Sequence, residues 1–441
     1  MKKRNLLLVT LSTLSLLISG CDSKKNDSLL KTEIPVQLEA SLNSEKSYYD
    51  LSFQYDDNYF LEDANKYNKN LSLLSFGCSI VSKNVQTGNA FFDKASFTDI
   101  EAKNYQQSNK DNCAYILAHK SIQDFEVVAI AFRGFNYQVE WANNLEIGET
   151  GDHEGFSKCL NGVYSELQTY ISTYSNNKPL KLWINGYSRG GALSNLLASK
   201  IINENKIEVT QSNMFVYTFE TPRGVSKENA KKYENVHNIV NSCDLITNIA
   251  PEKYELYRCG VDVDIYDSDV ASALKKFDKD ISIPDFTPSE YYGNDKQLVN
   301  FIINAITNNS GIEDDCSAND RIHFYNNYQN GISYLVGKLF SLNGTTRNAL
   351  INNIKSMGSS VISLFSDSTG SQLSSFLQTY LNNDNIDYDN ADLLSSCAVT
   401  CKAFNSIGKP LLSLFSSSNL TRLLDMHYPE VAYSLLLNSH Q

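Results

Sequence analysis

One pentapeptide restricts this chain more than any other feature: Gly186-Tyr187-Ser188-Arg189-Gly190. The apolar run Leu180-Lys181-Leu182-Trp183-Ile184-Asn185 leads into it, and Gly191-Ala192-Leu193-Ser194-Asn195-Leu196-Leu197-Ala198 leads away. A strand, a tight turn and a helix, with serine between two glycines, is the setting of a nucleophile elbow. Such a turn forces the serine into a strained backbone conformation that only small neighbours tolerate, and so pushes its hydroxyl outward. Backbone N–H groups at the start of the next helix then point to where negative charge would develop. The bare pattern arises by chance in about one chain of this length in seven, given Gly and Ser near 7% each. The flanking elements therefore carry the reading. Leu193, Leu196, Leu197 and Ile201 form a stripe at helical spacing, and no second GxSxG occurs.

The surrounding sequence alternates between strand and helix patterns. Residues 114–118, 127–132, 214–219 and 237–240 are apolar or β-branched runs and predict strands. Residues 156–173 place Phe156, Leu160, Val163, Leu167, Tyr170 and Ile171 on one helical face. The alternation predicts βαβ units around a mainly parallel sheet, and the unbroken apolar character of 127–132 and 214–219 predicts burial on both faces. After about residue 264 the character changes and strand signals become scarce. Residues 268–420 read as a helical insertion rich in Ser and Asn, with no convincing internal repeat.

The N-terminus reads as a targeting segment. Lys2, Lys3 and Arg4 precede an apolar stretch over residues 6–18, followed by Ile18-Ser19-Gly20-Cys21. This resembles a bacterial lipoprotein signal: residues 1–20 would be removed, and Cys21 would be the lipidated first residue that anchors the chain, outside the cytoplasm, to the cell membrane. Residues 21–48 are polar and read as a tether, and 49–267 as the core. The net charge of −12 and the lack of a basic patch argue against nucleic acid as a partner. Eight cysteines remain besides Cys21. Their count permits one or two disulfides or buried thiols, and no histidine lies near enough in sequence to Cys397 and Cys401 to suggest a metal site. No cofactor is called for.

An activated serine needs a base, and the base needs an orienting acid. In hydrolases with this elbow the chain order is serine, acid, histidine. Asp244 follows the predicted strand 237–240 and is the leading acid candidate. Of six histidines, His119 and His153 precede the serine, His237 sits within a predicted strand and His440 at the chain end. His427 stands before Tyr428-Pro429-Glu430-Val431-Ala432-Tyr433, where Pro429 suits the first turn of a terminal helix. His323 is the alternative.

Six ordered motifs and a seventh at the end make the stretch from about 70 to 260, with the C-terminus, resemble the class 3 (fungal-type) lipase family of α/β-hydrolases. They are the strand ending in Arg133-Gly134; Glu140-Trp141-Ala142-Asn143-Asn144-Leu145; His153-Glu154-Gly155-Phe156; the elbow; Thr218-Phe219-Glu220-Thr221-Pro222-Arg223-Gly224; the segment from Asn241 to Pro251; and His427 to Tyr433. The resemblance implies an α/β-hydrolase fold, the triad Ser188, Asp244 and His427, and an oxyanion hole from the backbone N–H groups of Phe135 and Arg189. Phe135 stands where the family usually has Thr or Ser, and Arg189 where it usually has an aliphatic residue. For the Arg189 side chain the expectation is a surface ion pair with a carboxylate, with an anionic headgroup as the alternative ligand. The 268–420 insertion lies between acid and base, with residues 421–441 returning to the core, so a cap over the site is expected.

The function expected is serine-dependent hydrolysis of lipid esters, as in triacylglycerol lipases. The alternatives on the same triad are a phospholipase or a small-ester esterase. From another class, the alternative is an inactive surface lipoprotein that binds lipid or ester without turnover.

Overall fold

The computed structural model describes residues 29–43, 45–106, 111–134, 143–175, 177–308, 319–407 and 418–439. The leader, Cys21, Phe135, Glu140, Trp141 and Cys316 lie outside the described residues. In chain order the first elements are β1 (Lys31–Glu39), β2 (Tyr48–Asp56), α1 (Lys69–Val81), α2 (Val85–Lys94), β3 (Thr98–Lys103), β4 (Tyr115–Ile122) and β5 (Phe125–Phe132). Then come α3 (Glu154–Tyr174), β6 (Leu180–Tyr187), α4 (Arg189–Glu204), β7 (Met214–Phe219), β8 (Val225–Ser226), β9 (Val236–Val240), β10 (Leu256–Tyr257) and β11 (Val261–Asp264).

Seven strands form the central sheet in the order β11-β9-β7-β6-β5-β4-β3. The β5-β6-β7-β9-β11 half is parallel, while β3, β4 and β5 are antiparallel. This is an α/β-hydrolase fold. Alternation along each strand sends successive side chains to opposite faces. Val127, Ala129 and Ala131 enter one apolar cluster with Trp183, Phe215 and Phe219, and Val128, Ile130 and Phe132 enter another with Leu182 and Val216. The first cluster is roofed by α1 and α2, the second by α3 and α4. All eight residues of β5 are buried because neither face of the sheet meets water.

The tether expected over 21–48 is corrected from residue 29 onward. Lys31–Glu39 is a strand paired antiparallel with β2 along its whole length. Its inward residues Ile34, Val36 and Leu38 alternate with exposed polar ones, a period-two pattern that the polar average of the segment conceals.

The boundaries of the insertion shift as well. Helix α5 (Val270–Phe277) packs Val270, Ala273 and Leu274 into the sheet's own core. The helices α6 (Asp295–Asn308), α7 (Asn319–Phe324), α8 (Asn330–Ser341), α9 (Gly344–Met357), α10 (Ile362–Ser366), α11 (Ser371–Asn383) and α12 (Asn390–Ile407) follow. Leu335, Leu377, Leu393, Cys397 and Cys401 belong to a separate apolar cluster within α8–α12. Helix α13 (Asn419–Asp425), placed by the sequence reading partly in the returning core, buries Leu423 against Leu298 and Ile302 of α6. Arg422 binds Asp295 through two 2.7 Å bonds.

Helix α14 (Pro429–Asn438) closes the chain against the sheet. Tyr433 stacks on Phe76 of α1 at 5.5 Å and meets Phe53 of β2 edge-on at 5.8 Å. Glu430, wholly buried, accepts hydrogen bonds from the backbone N–H groups of Ser41 and Leu42 in the β1–β2 turn. The N-terminal hairpin is thereby part of what holds the segment just after His427. The side chains of the described cysteines are buried. Among the described residues no helix is long and apolar enough to cross a membrane.

Candidate active site

Strand β6 ends at Tyr187, and the chain turns into α4 through Ser188, whose backbone has φ 53° and ψ −123°. That positive φ is unfavourable for a residue with a Cβ and is held by packing on all sides. Close backbone approaches explain the glycines. A Cβ on Gly186 would stand 2.1 Å from the Gly190 carbonyl oxygen, and one on Gly134 would stand 2.0 Å from that of Tyr187. The second contact seats the end of β5 against the elbow. The Ser188 N–H donates to the Phe219 carbonyl at 2.7 Å, which ties the turn to β7.

His427 lies in the turn between α13 and α14. Its Nε2 is 2.7 Å from Ser188 Oγ, and its Nδ1 is 2.5 Å from Asp244 Oδ2. The carboxylate fixes the proton on Nδ1, which leaves Nε2 as acceptor for the serine hydroxyl. Asp244 is fully buried just past β9, and its Oδ1 accepts the Ile246 N–H at 2.8 Å. Thr247 and Asn248 donate to its backbone carbonyl at 2.9 and 3.0 Å. The structure therefore brings Ser188, His427 and Asp244 into one hydrogen-bonded line across 239 residues of sequence. His323 is not brought there: it lies in α7, with Asn327 donating to its Nδ1 at 3.2 Å.

Two residues of the line went unread in the sequence. Tyr187, wholly buried, donates its hydroxyl to the His427 carbonyl oxygen at 2.9 Å and so pins the base from the elbow itself. Glu220, also wholly buried, follows β7 with φ 46° and accepts the Asn241 N–H at 3.1 Å. Its carboxyl is within hydrogen-bonding reach of Asp244, and burial followed by the Asp244 charge pushes it well above the usual carboxylate range. Both stand within motifs quoted from the sequence, but nothing local marks these roles, because a role acquired by contact with a distant turn has no sequence period.

Arg189 corrects an expectation. The ion pair was placed at the surface, but the guanidinium is 1% exposed. It donates to Asn144 Oδ1 and Asn143 Oδ1, each at 3.0 Å, and to Cys159 Sγ at 2.9 Å. It thus fastens the elbow helix to the stretch 143–146 and to α3. His153 continues this network: its Nε2 donates to the Asn144 carbonyl at 3.1 Å while its Nδ1 accepts the Phe156 N–H at the start of α3. Burial, with Arg321 and Arg189 nearby, lowers His153 to about 3, so it is neutral. Arg321 reaches in from α7 and donates to the carbonyls of Ile147, Gly148 and Gly151, the latter two at 2.8 Å. Ile147, Tyr254 and Leu256 pack there with Phe324. The insertion is clamped onto the loop that precedes α3.

Of the two expected oxyanion donors, Arg189 begins α4 and Phe135 lies outside the described residues. Among the described residues no group of three or more His, Cys, Asp or Glu side chains converges to hold a metal ion.

Residues 129–254 match the model of the lipase (class 3) family. No curated protein matches the chain. Among solved structures, a fungal lipase–inhibitor complex is similar at 17% identity over 48% of this chain and 80% of its own, with a TM-score of 0.34. The lipase from Rhizopus microsporus var. chinensis gives 15% over 44% and 72%, TM-score 0.33. Lipase II from Rhizopus niveus gives 16% over 46% and 78%, TM-score 0.32. Scores of this size carry no weight beside the family match, which spans β5 to Tyr254 and includes both the elbow and Asp244. The chain is a serine hydrolase whose residues 129–254 are similar to the class 3 lipases.

Proposed function

We propose that this protein hydrolyses carboxylic esters of lipids through an acyl-enzyme on Ser188. His427 Nε2 takes the hydroxyl proton as Oγ attacks the ester carbonyl, then gives it to the leaving alcohol. Asp244 holds the imidazole tautomer and stabilises the imidazolium. Water, activated by the same histidine, releases the acid. The N–H groups of Arg189 and Phe135 would receive the oxyanion. The observation that carries the reading is the continuous line from Ser188 Oγ through His427 to Asp244 at a strained elbow.

Helices α6 to α12 are read as a cap, supported by the Arg321 clamp onto the 147–151 loop. Cys21 is read as a lipidated anchor on the outer side of the cell membrane. Radiolabelled palmitate that enters the wild-type chain and not Cys21→Ala supports this; equal labelling rejects it.

The test of function is a panel of chromogenic esters from acetyl to palmitoyl, with phospholipid vesicles alongside, for wild type and Ser188→Ala. Turnover confined to wild type with a long-chain optimum supports a lipase, and a short-chain optimum would move the assignment to an esterase. Release of fatty acid from vesicles alone would make it a phospholipase. No turnover on any of them rejects the proposal in favour of a binding role.

A further inference from the structure

Two carboxyl groups, both shielded from water, meet at the Asn241 turn: Asn241 donates its N–H to Glu220 Oε2 at 3.1 Å, and its carbonyl accepts the Asp244 N–H at 2.9 Å. Asp244 has three claims on its charge: the His427 Nδ1–H, the Ile246 N–H, and its place in the reaction. Glu220 accepts one N–H, from Asn241, at Oε2, while its buried Oε1 receives no donor. Two buried carboxylates in contact cannot both be ionised, so the pair holds a proton. The group with fewer donors keeps it. Oε1 has no donor of its own, so it is the atom that can carry the hydrogen and aim it at Asp244. The backbone makes the same point independently. Glu220 has φ 46°, a conformation that disfavours a side chain by about 1 kcal/mol or more, and a carboxyl is nonetheless held there.

We propose that Glu220 is a positioning residue of the hydrolase, a protonated carboxyl that donates a hydrogen bond to Asp244 and holds it against His427. The line becomes Ser188, His427, Asp244, Glu220, with one negative charge at its buried end. The other groups that act on Glu220 are consistent with a neutral acid. Arg258 is the nearby cation, but it donates through Nε and Nη2 to Asp262 and through Nη1 to the carbonyls of Thr221 and Thr247. On the β6 side stands the Tyr187 phenol, itself held neutral by burial, with Glu430 acting on it from α14. Loss of the Glu220 proton at alkaline pH would set two negative charges against each other and displace Asp244 from the imidazole.

This inference rests on the hydrolase reading for its purpose, but its first readout does not need turnover. The test compares wild type with Glu220→Gln and Glu220→Gly. Gln supplies an N–H toward Asp244 and an oxygen for Asn241 without titrating; Gly accepts φ 46° and removes the group. A carboxyl whose folded value lies above its unfolded value stabilises the fold at low pH, and this contribution is lost as pH rises. The unfolding constant of wild type, relative to either variant, should therefore rise by up to tenfold per pH unit above about 4.3. In turnover, Gln should exceed Gly in kcat by about tenfold, the value of one hydrogen bond to a charged group, at equal KM. Wild type should lose kcat at alkaline pH where Gln does not. Stability curves that run parallel in pH for wild type and both variants overturn the proposal, even if all three hydrolyse esters. Diverging curves without any turnover uphold the shared proton and reject the hydrolase reading instead. If Gln fails to fold, Gly supplies the same stability comparison.

Discussion

Replacing Arg189 with leucine tests what the residue after the nucleophile does. Its guanidinium is buried and donates to two amide oxygens and a thiol on the 143–146 stretch and α3. A hydrogen bond from a charged donor contributes about 1.5–3 kcal/mol net. Two to the asparagines sum to about 3–6 kcal/mol, from which the relief of desolvating a buried cation must be subtracted. Arg189→Leu is thus expected to lower stability by about 2–4 kcal/mol. The same bonds hold the 143–146 stretch against the elbow, so kcat should fall by about 10- to 100-fold with every ester, as for other losses of preorganisation. Urea denaturation followed by tryptophan fluorescence reads the first effect, and chromogenic ester kinetics the second. Arg189→Lys should recover only part of either, since an ammonium cannot present the planar fork. Were the side chain a headgroup ligand instead, Arg189→Leu would raise KM for anionic phospholipid alone and leave stability within 0.5 kcal/mol or so. That outcome would refute the buried-anchor reasoning.

Three further outcomes are expected. His427→Ala should reduce kcat by several orders of magnitude, whereas His323→Ala, whose ring is bonded by Asn327 one turn further along the insertion, should leave kcat within about twofold; full activity in His427→Ala rejects the assigned base. His153, lowered to about 3 by burial, is neutral in the fold and charges more readily when unfolded, so its contribution is complete above about pH 6.5 and is lost as pH falls. Guanidinium titrations should accordingly show wild type losing up to about 1.4 kcal/mol per pH unit more than His153→Asn between pH 6 and 4; equal slopes contradict a neutral buried ring. Arg321→Met, which removes the donors to the Ile147, Gly148 and Gly151 carbonyls, should make the 143–152 segment exchange its amide hydrogens at least tenfold faster, with α1 unaffected; unchanged exchange there would show that the insertion is not what holds the loop.

The parts of the fold that were legible in sequence are those with a strong local period. Residues 127–132 and 214–219 read as strands buried on both faces because nothing polar interrupts them, and they are β5 and β7. The helix predicted over 156–173 spans Glu154–Tyr174. Strands β1 and β3 were missed for the opposite reason: KTEIPVQLE and TDIEAK carry charged residues on one face, and their average polarity hides the alternation. The boundary at 268 failed because α5 looks like its helical neighbours and differs only in what it packs against.

The elbow lay within the sequence's own reach because its chemistry is local. A serine at positive φ needs small residues two positions away on either side, and those residues are contiguous in the chain. Which histidine and which acid stand beside it is a different kind of fact. His427 reaches Ser188 only because Tyr433 stacks on Phe76, Glu430 grips the β1–β2 turn and Tyr187 bonds the histidine carbonyl. None of these contacts has a period or a spacing. The same holds for the burial of Arg189, which turns a residue read as a surface cation into an internal fastener, and for the placement of Glu220 beside Asp244. Backbone conformation near a turn is governed by the sterics of adjacent residues, so the sequence determines it. Protonation, desolvation and the pairing of distant side chains depend on what packing brings together, and only the tertiary structure decides them.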